Sequence, residues 1–350
     1  FRHESAFSTR ELAVVLAMML VSCSLPSQGL MRAWLPTLVA PFYLGQGNEM
    51  FWKAFLALDL PTWLFPVRDM AGGRLDPVVR DFYGRVADGS PAPYGAWVLP
   101  LLGWGVFIGA WVVTMLALAV LTRRQWGIDE RLPFPIAQLQ LSLIEAPAPG
   151  HALNALFRSR AFWASLVTVF VVQSTNPLHS YFPRNIPQIP LFFDLSSILV
   201  NEPFVYFNSS VKRATIFFTF IGITYFIQTR TAFSIWSIWL ICQVLVVQQR
   251  MFQSDIPGPA WRDQHFGACL VYAAGIIWIG RRHWGRVIRH ALGKPSEFRA
   301  GEAAGYRAAT FALVGGVGVM IAWLLFVGVQ LWFAALIVGI ILLAHLVTAR

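Results

Sequence analysis

The side chains that could do chemistry in this chain of 350 residues are scattered, and none falls at catalytic spacing. Acids lie mostly in polar stretches: Asp69, Asp76 and Asp81 in one, Asp129 and Glu130 in another. No Ser/His/Asp arrangement, no pair of carboxylates within an apolar run and no HExxH pattern is readable, so no enzymatic activity is expected. Cys23, Cys242 and Cys269 fall in or near apolar runs without a CxxC, which fits buried thiols rather than a disulfide or zinc site. Leu20-Val21-Ser22-Cys23 also fits a lipobox, against the plainer reading of a cysteine inside a span. His345 lies inside an apolar run, where it could ligate a haem-type group, relay protons or simply bond a neighbour near the helix end. His283 and His290 are seven apart on a basic segment and read as interfacial residues; no metal or cofactor is expected.

The chemistry that the spacing does suggest is a path through a membrane. Arg131–Ile144, RLPFPIAQLQLSLI, is a Pro-rich element between two apolar runs. Irregular backbone at a membrane boundary is tolerated only where protein or a water-filled cavity satisfies its polar groups, and in transporters such breaks mark the substrate path. Ala137, Leu139, Leu141 and Leu143 alternate with Gln138, Gln140 and Ser142, a strand-like period. A lone strand beside lipid would leave its backbone unpaired, so a helix starting after Pro135 is expected. The hairpin around Gln228-Thr229-Arg230 is the second candidate: Gly222 permits close approach, and Thr224, Tyr225 and Gln228 offer hydrogen bonds. The substrate-path candidates are therefore Phe134, Pro135, Gln138, Gly222, Thr224, Tyr225 and Gln228. Arg32, the cluster Gln173, Ser174 and Asn176, and Gln243, Gln248 and Gln249 either line a path or mark an interface.

These groups need elements to hold them. The chain is 57% hydrophobic and 13% charged, with mean hydropathy +0.58. A soluble domain is nearer a quarter charged, so a solvated surface around one core is excluded. The expected fold is all-α: a polytopic transmembrane helical bundle of about eight spans, with irregular outer loops and one cytoplasmic amphipathic helix. The spans are placed near 11–43, 94–121, 161–173, 213–227, 231–247, 265–280, 308–327 and 331–347. The first exceeds one straight crossing and is expected to break around Pro26. Gly105 and Gly109 form a GxxxG, and Gly315, Gly316 and Gly318 cluster; both groups read as close helix packing.

Net charge is +10. The basic residues cluster between apolar runs, so membrane topology and anionic lipid explain them better than nucleic acid does. Their bias puts both ends in the cytoplasm, with the Pro-rich loops 44–93 and 174–210 facing outward; a hairpin in the first span would invert this. Within the cytoplasmic basic segment 281–307, Trp284, Val287, Ile288, Ala291 and Leu292 recur at helical spacing between basic residues. This reads as an interfacial helix anchored by Arg281, Arg282, Trp284, Arg286 and Arg289. The expected partners are the bilayer, anionic lipid at this segment, and other membrane subunits or further copies of the chain.

Glu130–Leu139, Gly222–Phe226 with Ala232–Trp236, and Gly47-Asn48-Glu49 resemble a poorly characterised group of polytopic bacterial inner-membrane proteins. That group is distantly similar to the oligopeptide transporter superfamily, whose Leu-x-Phe-Pro-Ser-Gly-x-Ala element is matched here at Leu132, Phe134 and Pro135. The following Ser-Gly is replaced by Ile136-Ala137. Superfamily members are longer, so residues 1–350 form a single transmembrane domain that the resemblance makes a first half. It implies proton-coupled transport of peptide-like or chelated substrates. The competing expectation is a non-transporting subunit of a larger membrane complex, suggested by 28 Phe and 15 Trp and by the scarcity of charge within the spans.

Overall fold

The computed structural model describes residues 7–24, 31–84, 86, 89, 91–132, 134–148, 150–151, 153–252, 258–294 and 300–350. The expected break at Pro26 lies outside them. The helices in chain order are α1 (Thr9–Ser24), α2 (Met31–Gly47), α3 (Glu49–Leu56), α4 (Pro77–Tyr83), α5 (Gly95–Arg124), α6 (Pro135–Ile144), α7 (Ala155–Arg158) and α8 (Arg160–Tyr181). After strand β1 (Phe192–Asp194) come α9 (Ser209–Lys212), strand β2 (Arg213–Thr215), α10 (Phe218–Phe226), α11 (Thr229–Phe252) and α12 (Gly258–Ile279). The chain ends with α13 (Arg281–Ala291), α14 (Ala300–Val327) and α15 (Leu331–Ala349).

Four helices among the described residues are long and apolar enough to cross a membrane, not about eight. They are α5 with the turn that follows it (Gly95–Asp129), α11, α14 (Ala303–Val327) and α15. Only 17 to 28% of each apolar window is buried, so most of this surface faces outward. The other expected spans fail for identifiable reasons. The run 11–43 is divided between α1 and α2, of 16 and 17 residues. The run 213–227 spends its first residues in β2, leaving α10 with nine. The helix α8 reaches 22 residues but carries Gln173, Ser174, Asn176 and His179, which lower its hydropathy. In α12 the described side chains begin at Asp263 and fall short of a crossing.

The chain divides into two compact units. One comprises Val21–Leu132 and Asp263–Arg350. Its core gathers Val39, Phe42, Trp52, Phe55, Phe65 and Val79 with Met320, Trp323, Leu324, Ala334 and Val338. Phe42 is fully buried and meets Trp52, Phe55 and Phe65 edge-on, at centroid distances of 5.9, 5.5 and 5.3 Å. The stretch 44–93, expected to be mainly irregular, instead folds into α3, α4 and two 3-10 turns. Each has a local cause. Asn48 caps α3 by accepting from the Phe51 amide, and Asp76 caps α4 by accepting from Val78, with Pro77 at the first helical position. Arg74 ties the stretch together: its guanidinium pairs with Glu49 at 2.6 Å and lies 5.0 Å over the Trp52 ring.

The helices α5 and α14 cross at Gly316, where a Cβ would collide with Thr114 and the Ala110 carbonyl. Trp323 reinforces the pair by donating to the Gly103 carbonyl at 2.8 Å. Close packing is thus met at Gly316. Gly105, Gly109, Gly315 and Gly318 have nothing within 4 Å of a notional Cβ, so the GxxxG does not mark a helix contact.

The other unit comprises Phe1–Leu20 and Pro133–Arg262. Here β1 and β2 pair antiparallel, Phe193 opposite Ala214, the one departure from helix among the described elements. The polar residues ending α8 secure the turn after it: Asn176 accepts from the Ile189 amide at 3.1 Å, and the His179 ring bonds the Ile186 carbonyl at 2.6 Å.

Candidate functional site

The two elements singled out for a substrate path belong to one unit, and they pack together: α6 lies against α10. The helix α6 begins at Pro135 as expected, because proline at the first turn loses no hydrogen bond. Its last carbonyls, those of Ser142 and Leu143, are satisfied by the Asn154 side-chain amide at 3.1 Å each. Gln138 is exposed on α6, and Tyr225 is 87% exposed on α10. Thr224 turns its hydroxyl back to the Phe220 carbonyl, so it offers less to a ligand than its type suggests. A Cβ on Gly222 would meet nothing within 4 Å among the described residues, so no close helix approach is made there. Gln228 is exposed, and its carbonyl accepts from the Ala232 amide at the start of α11. Phe134 is half-buried before α6.

A second constellation lies in the other unit, at the end of α5. There the helix widens into a π turn over Gln125–Asp129, a geometry that occurs often at functional sites. The amide of Gln125 bonds back to Thr122 rather than Leu121. His283 of α13 takes up the Leu121 carbonyl, at 2.7 Å. A carbonyl only accepts, so Nε2 of His283 carries the proton and donates. Its Nδ1 is buried with no hydrogen-bond partner among the described residues. The ring is 1% exposed, and burial pulls its pKa below the usual histidine range. The Leu121 bond opposes that shift; Arg286 and Arg124 add to it, while Asp129 counters them.

The basic helix α13 forms where expected, but its inward face is turned. His283 and Val287 are buried against Ala117, Leu121, Tyr306 and Ala309, while Ile288 and Leu292 are exposed. His290 donates to the Ala303 carbonyl at 2.8 Å. The two histidines are therefore docking residues rather than interfacial ones. Arg286 reaches Asp129 at 3.5 Å, and Arg281 bonds the Trp278 carbonyl while lying 4.7 Å over its ring. Arg289 bonds the Gly285 carbonyl, Trp284 packs on the Leu121 cluster, and Arg282 is exposed. Within the turn itself, Gln125 donates to Glu130, whose other oxygen pairs with Arg350 at 2.9 Å. Arg131 then reverses the chain with φ of 50°, a left-handed value that costs a non-glycine residue about 1 kcal/mol.

Beside this turn a cavity of about 480 Å³ lies between the ends of α5 and α14, lined among others by Arg123, Arg124, Gly127, Gly305 and Tyr306. Nothing in the sequence spacing marks it, because its lining comes from two helices far apart in the chain that meet only in the folded structure. His345, the other histidine with a candidate role, stacks on Trp111 at 5.7 Å.

No curated protein and no solved structure matches the chain. One family model does match, over residues 1–350 and hence over both units, and the chain belongs to that family, DUF6785, a family of unknown function.

Proposed function

We propose that this chain is an integral membrane protein of a bacterial cytoplasmic membrane and that it works as a secondary transporter or as half of one. The observation that carries the reading is the packing of α6 against α10. At ten and nine residues, both are too short to cross a bilayer. Paired short helices are the form that discontinuous segments take at transporter binding sites, where backbone ends are turned to a substrate. The outward apolar surface of α5, α11, α14 and α15 supports the membrane placement. Proton-coupled uptake of a peptide-like or chelated substrate rests on the Leu132, Phe134, Pro135 resemblance to the oligopeptide transporter superfamily.

Uptake of labelled di- and tripeptides and of metal chelates into proteoliposomes tests this, with an imposed proton gradient. Gln138→Ala and Tyr225→Ala are each expected to lower uptake about tenfold, the scale of one substrate hydrogen bond. Thermal stability in detergent should be unchanged, since both side chains are exposed. Wild-type uptake in both variants rejects this path.

A second reading, a non-transporting subunit of a membrane complex, is favoured by α8. That helix has no buried residue, with Trp163 and Phe170 50% and 69% exposed, yet it is too polar for a lipid-facing span. Such a face suits a protein partner. Copurification with other subunits at fixed stoichiometry, combined with no uptake, would select it.

A further inference from the structure

We infer that residues 60–67 form a re-entrant segment that dips into the bilayer beside α5 and α14 and meets lipid chains there. The inference rests on the membrane placement of these helices and not on the transport reading. The helix α15 has 19 residues, about 28 Å, only just enough to cross a hydrocarbon core of about 30 Å. Its start at Leu331 and the end of α14 at Val327 therefore mark one face of the membrane. The segment reaches past that face. Trp63 packs on Phe326 and Trp323, at centroid distances of 5.5 and 5.9 Å. Trp323 lies about one turn inside the end of α14. Leu64 and Phe65 belong to the core that includes Met320 and Val338, each about two turns, roughly 10 Å, from its helix end. Gly103 on α5 makes room, since a Cβ there would collide with the Trp63 ring.

The chemistry of the segment fits that position. Residues 60–67 read LPTWLFPV, with no charge, between Asp59 and Arg68. Irregular backbone survives at membrane depth only where protein satisfies its polar groups. Pro61 and Pro66 have no N–H to satisfy. The Leu64 and Phe65 amides bond back to the Pro61 and Thr62 carbonyls at 3.2 and 3.1 Å, and the Leu64 carbonyl accepts from the Trp104 indole at 3.1 Å. Asp59 turns the chain at entry with φ of 47°, and Asp76 accepts from the Arg68 amide at the exit. Leu64, Phe65 and Pro66 are buried, whereas Thr62 is exposed. Phe326, on which Trp63 packs, is 74% exposed, and Leu102 beside Gly103 is 65% exposed. The edge of the segment thus continues the apolar surface that α5 and α14 turn outward, and lipid chains are the occupant that this continuity selects. The stretch 44–93, expected to face outward as a loop, returns part of itself to the bilayer.

The experiment uses the full chain in nanodiscs, with Cys23, Cys242 and Cys269 replaced by serine. A spin label is placed at Thr62→Cys, at Val106→Cys on the outward surface of α5 and at Ala71→Cys among the charged residues of the loop. Collision with oxygen, which concentrates in lipid, is compared with collision with a water-soluble nickel chelate. Thr62→Cys is expected to favour oxygen as Val106→Cys does, and Ala71→Cys to favour the chelate. A label at Thr62 that favours the chelate while Val106 favours oxygen overturns the insertion and leaves the membrane placement standing. Labels that favour the chelate at both positions overturn the membrane placement and the inference with it. Gly103→Leu, which fills the space of Trp63, should raise chelate access at Thr62 about tenfold. Gly105→Leu enters open space on the same helix and should leave that access unchanged. Equal access in the two glycine variants also overturns the inference.

Discussion

Gly316→Leu is expected to destabilise the chain by about 3 kcal/mol or to prevent folding, the upper range for forcing extra volume into a packed contact. A Cβ at Gly316 would collide with Thr114 and come within 3.0 Å of the Ala110 carbonyl. Neither can yield easily. Thr114 is fully buried, and its hydroxyl is already bonded to the Ala110 carbonyl at 2.7 Å. Relief requires α5 and α14 to separate, which would also strain the Trp323 bond to Gly103 and open the aromatic core. The neighbours provide the control: Gly315→Leu and Gly318→Leu enter open space and should cost less than about 1 kcal/mol. Denaturation in mixed micelles measures all three. Gly316→Ala should behave as a milder form, and adding Thr114→Ala should recover part of its loss, because the nearest colliding atom is removed. Equal losses at 315, 316 and 318 would show that the crossing is not at Gly316.

Sequence reading found the elements whose signal is local. Pro135 opens α6 because proline's constraint acts on its own turn, and Arg281–Ala291 is helical because basic and apolar residues alternate at a helical period. It also found the apolar runs of α5, α11, α14 and α15. It overcounted spans where an apolar run is interrupted by structure: residues 213–215 pair with 192–194, a contact no periodicity encodes. It underestimated 44–83, because Asn48, Asp76 and Pro77 read as loop residues although each also starts a helix. On α13, treating histidine as polar rotated the inward face. Counting His283 with Val287 and His290 would have set it correctly, and burial of a histidine depends on an acceptor 162 residues away. For the same reason the cavity beside the π turn left no sequence signal: its lining comes from α5 and α14, which are far apart in the chain and packed together in the fold. Sequence reading singled out α6 and α10 separately, by the types of their residues, and nothing in it pointed to their packing together.

Removing His283 should detach α13. His283→Ala loses the bond to Leu121 and leaves that carbonyl without its partner in a buried site, a cost of about 1–3 kcal/mol, with a further contribution from the cavity left by the ring. The same residue makes the docking pH-dependent. Burial lowers its pKa in the folded chain, so the unfolded chain binds the proton more readily. Stability is then fully present above the ordinary histidine value of 6.5 and is lost as pH falls from there through the folded pKa. The groups facing the ring set how steep the loss is: Arg286 and Arg124 repel the added charge, and Asp129, itself paired with Arg286, offsets them only in part. The protection of the α13 amides, taken relative to the intrinsic exchange rate at each pH, should therefore fall below pH 6.5 in the wild type while α14 and α15 stay protected. His283→Gln retains an N–H donor for Leu121 but cannot take up a proton. It should keep α13 docked and abolish the acid-side loss of protection, whereas His283→Ala should leave α13 weakly protected at every pH. An acid-side loss of protection that persists in His283→Gln would move the titrating group elsewhere, and the other ring that pins this helix, His290 on the Ala303 carbonyl, would be the residue to replace next.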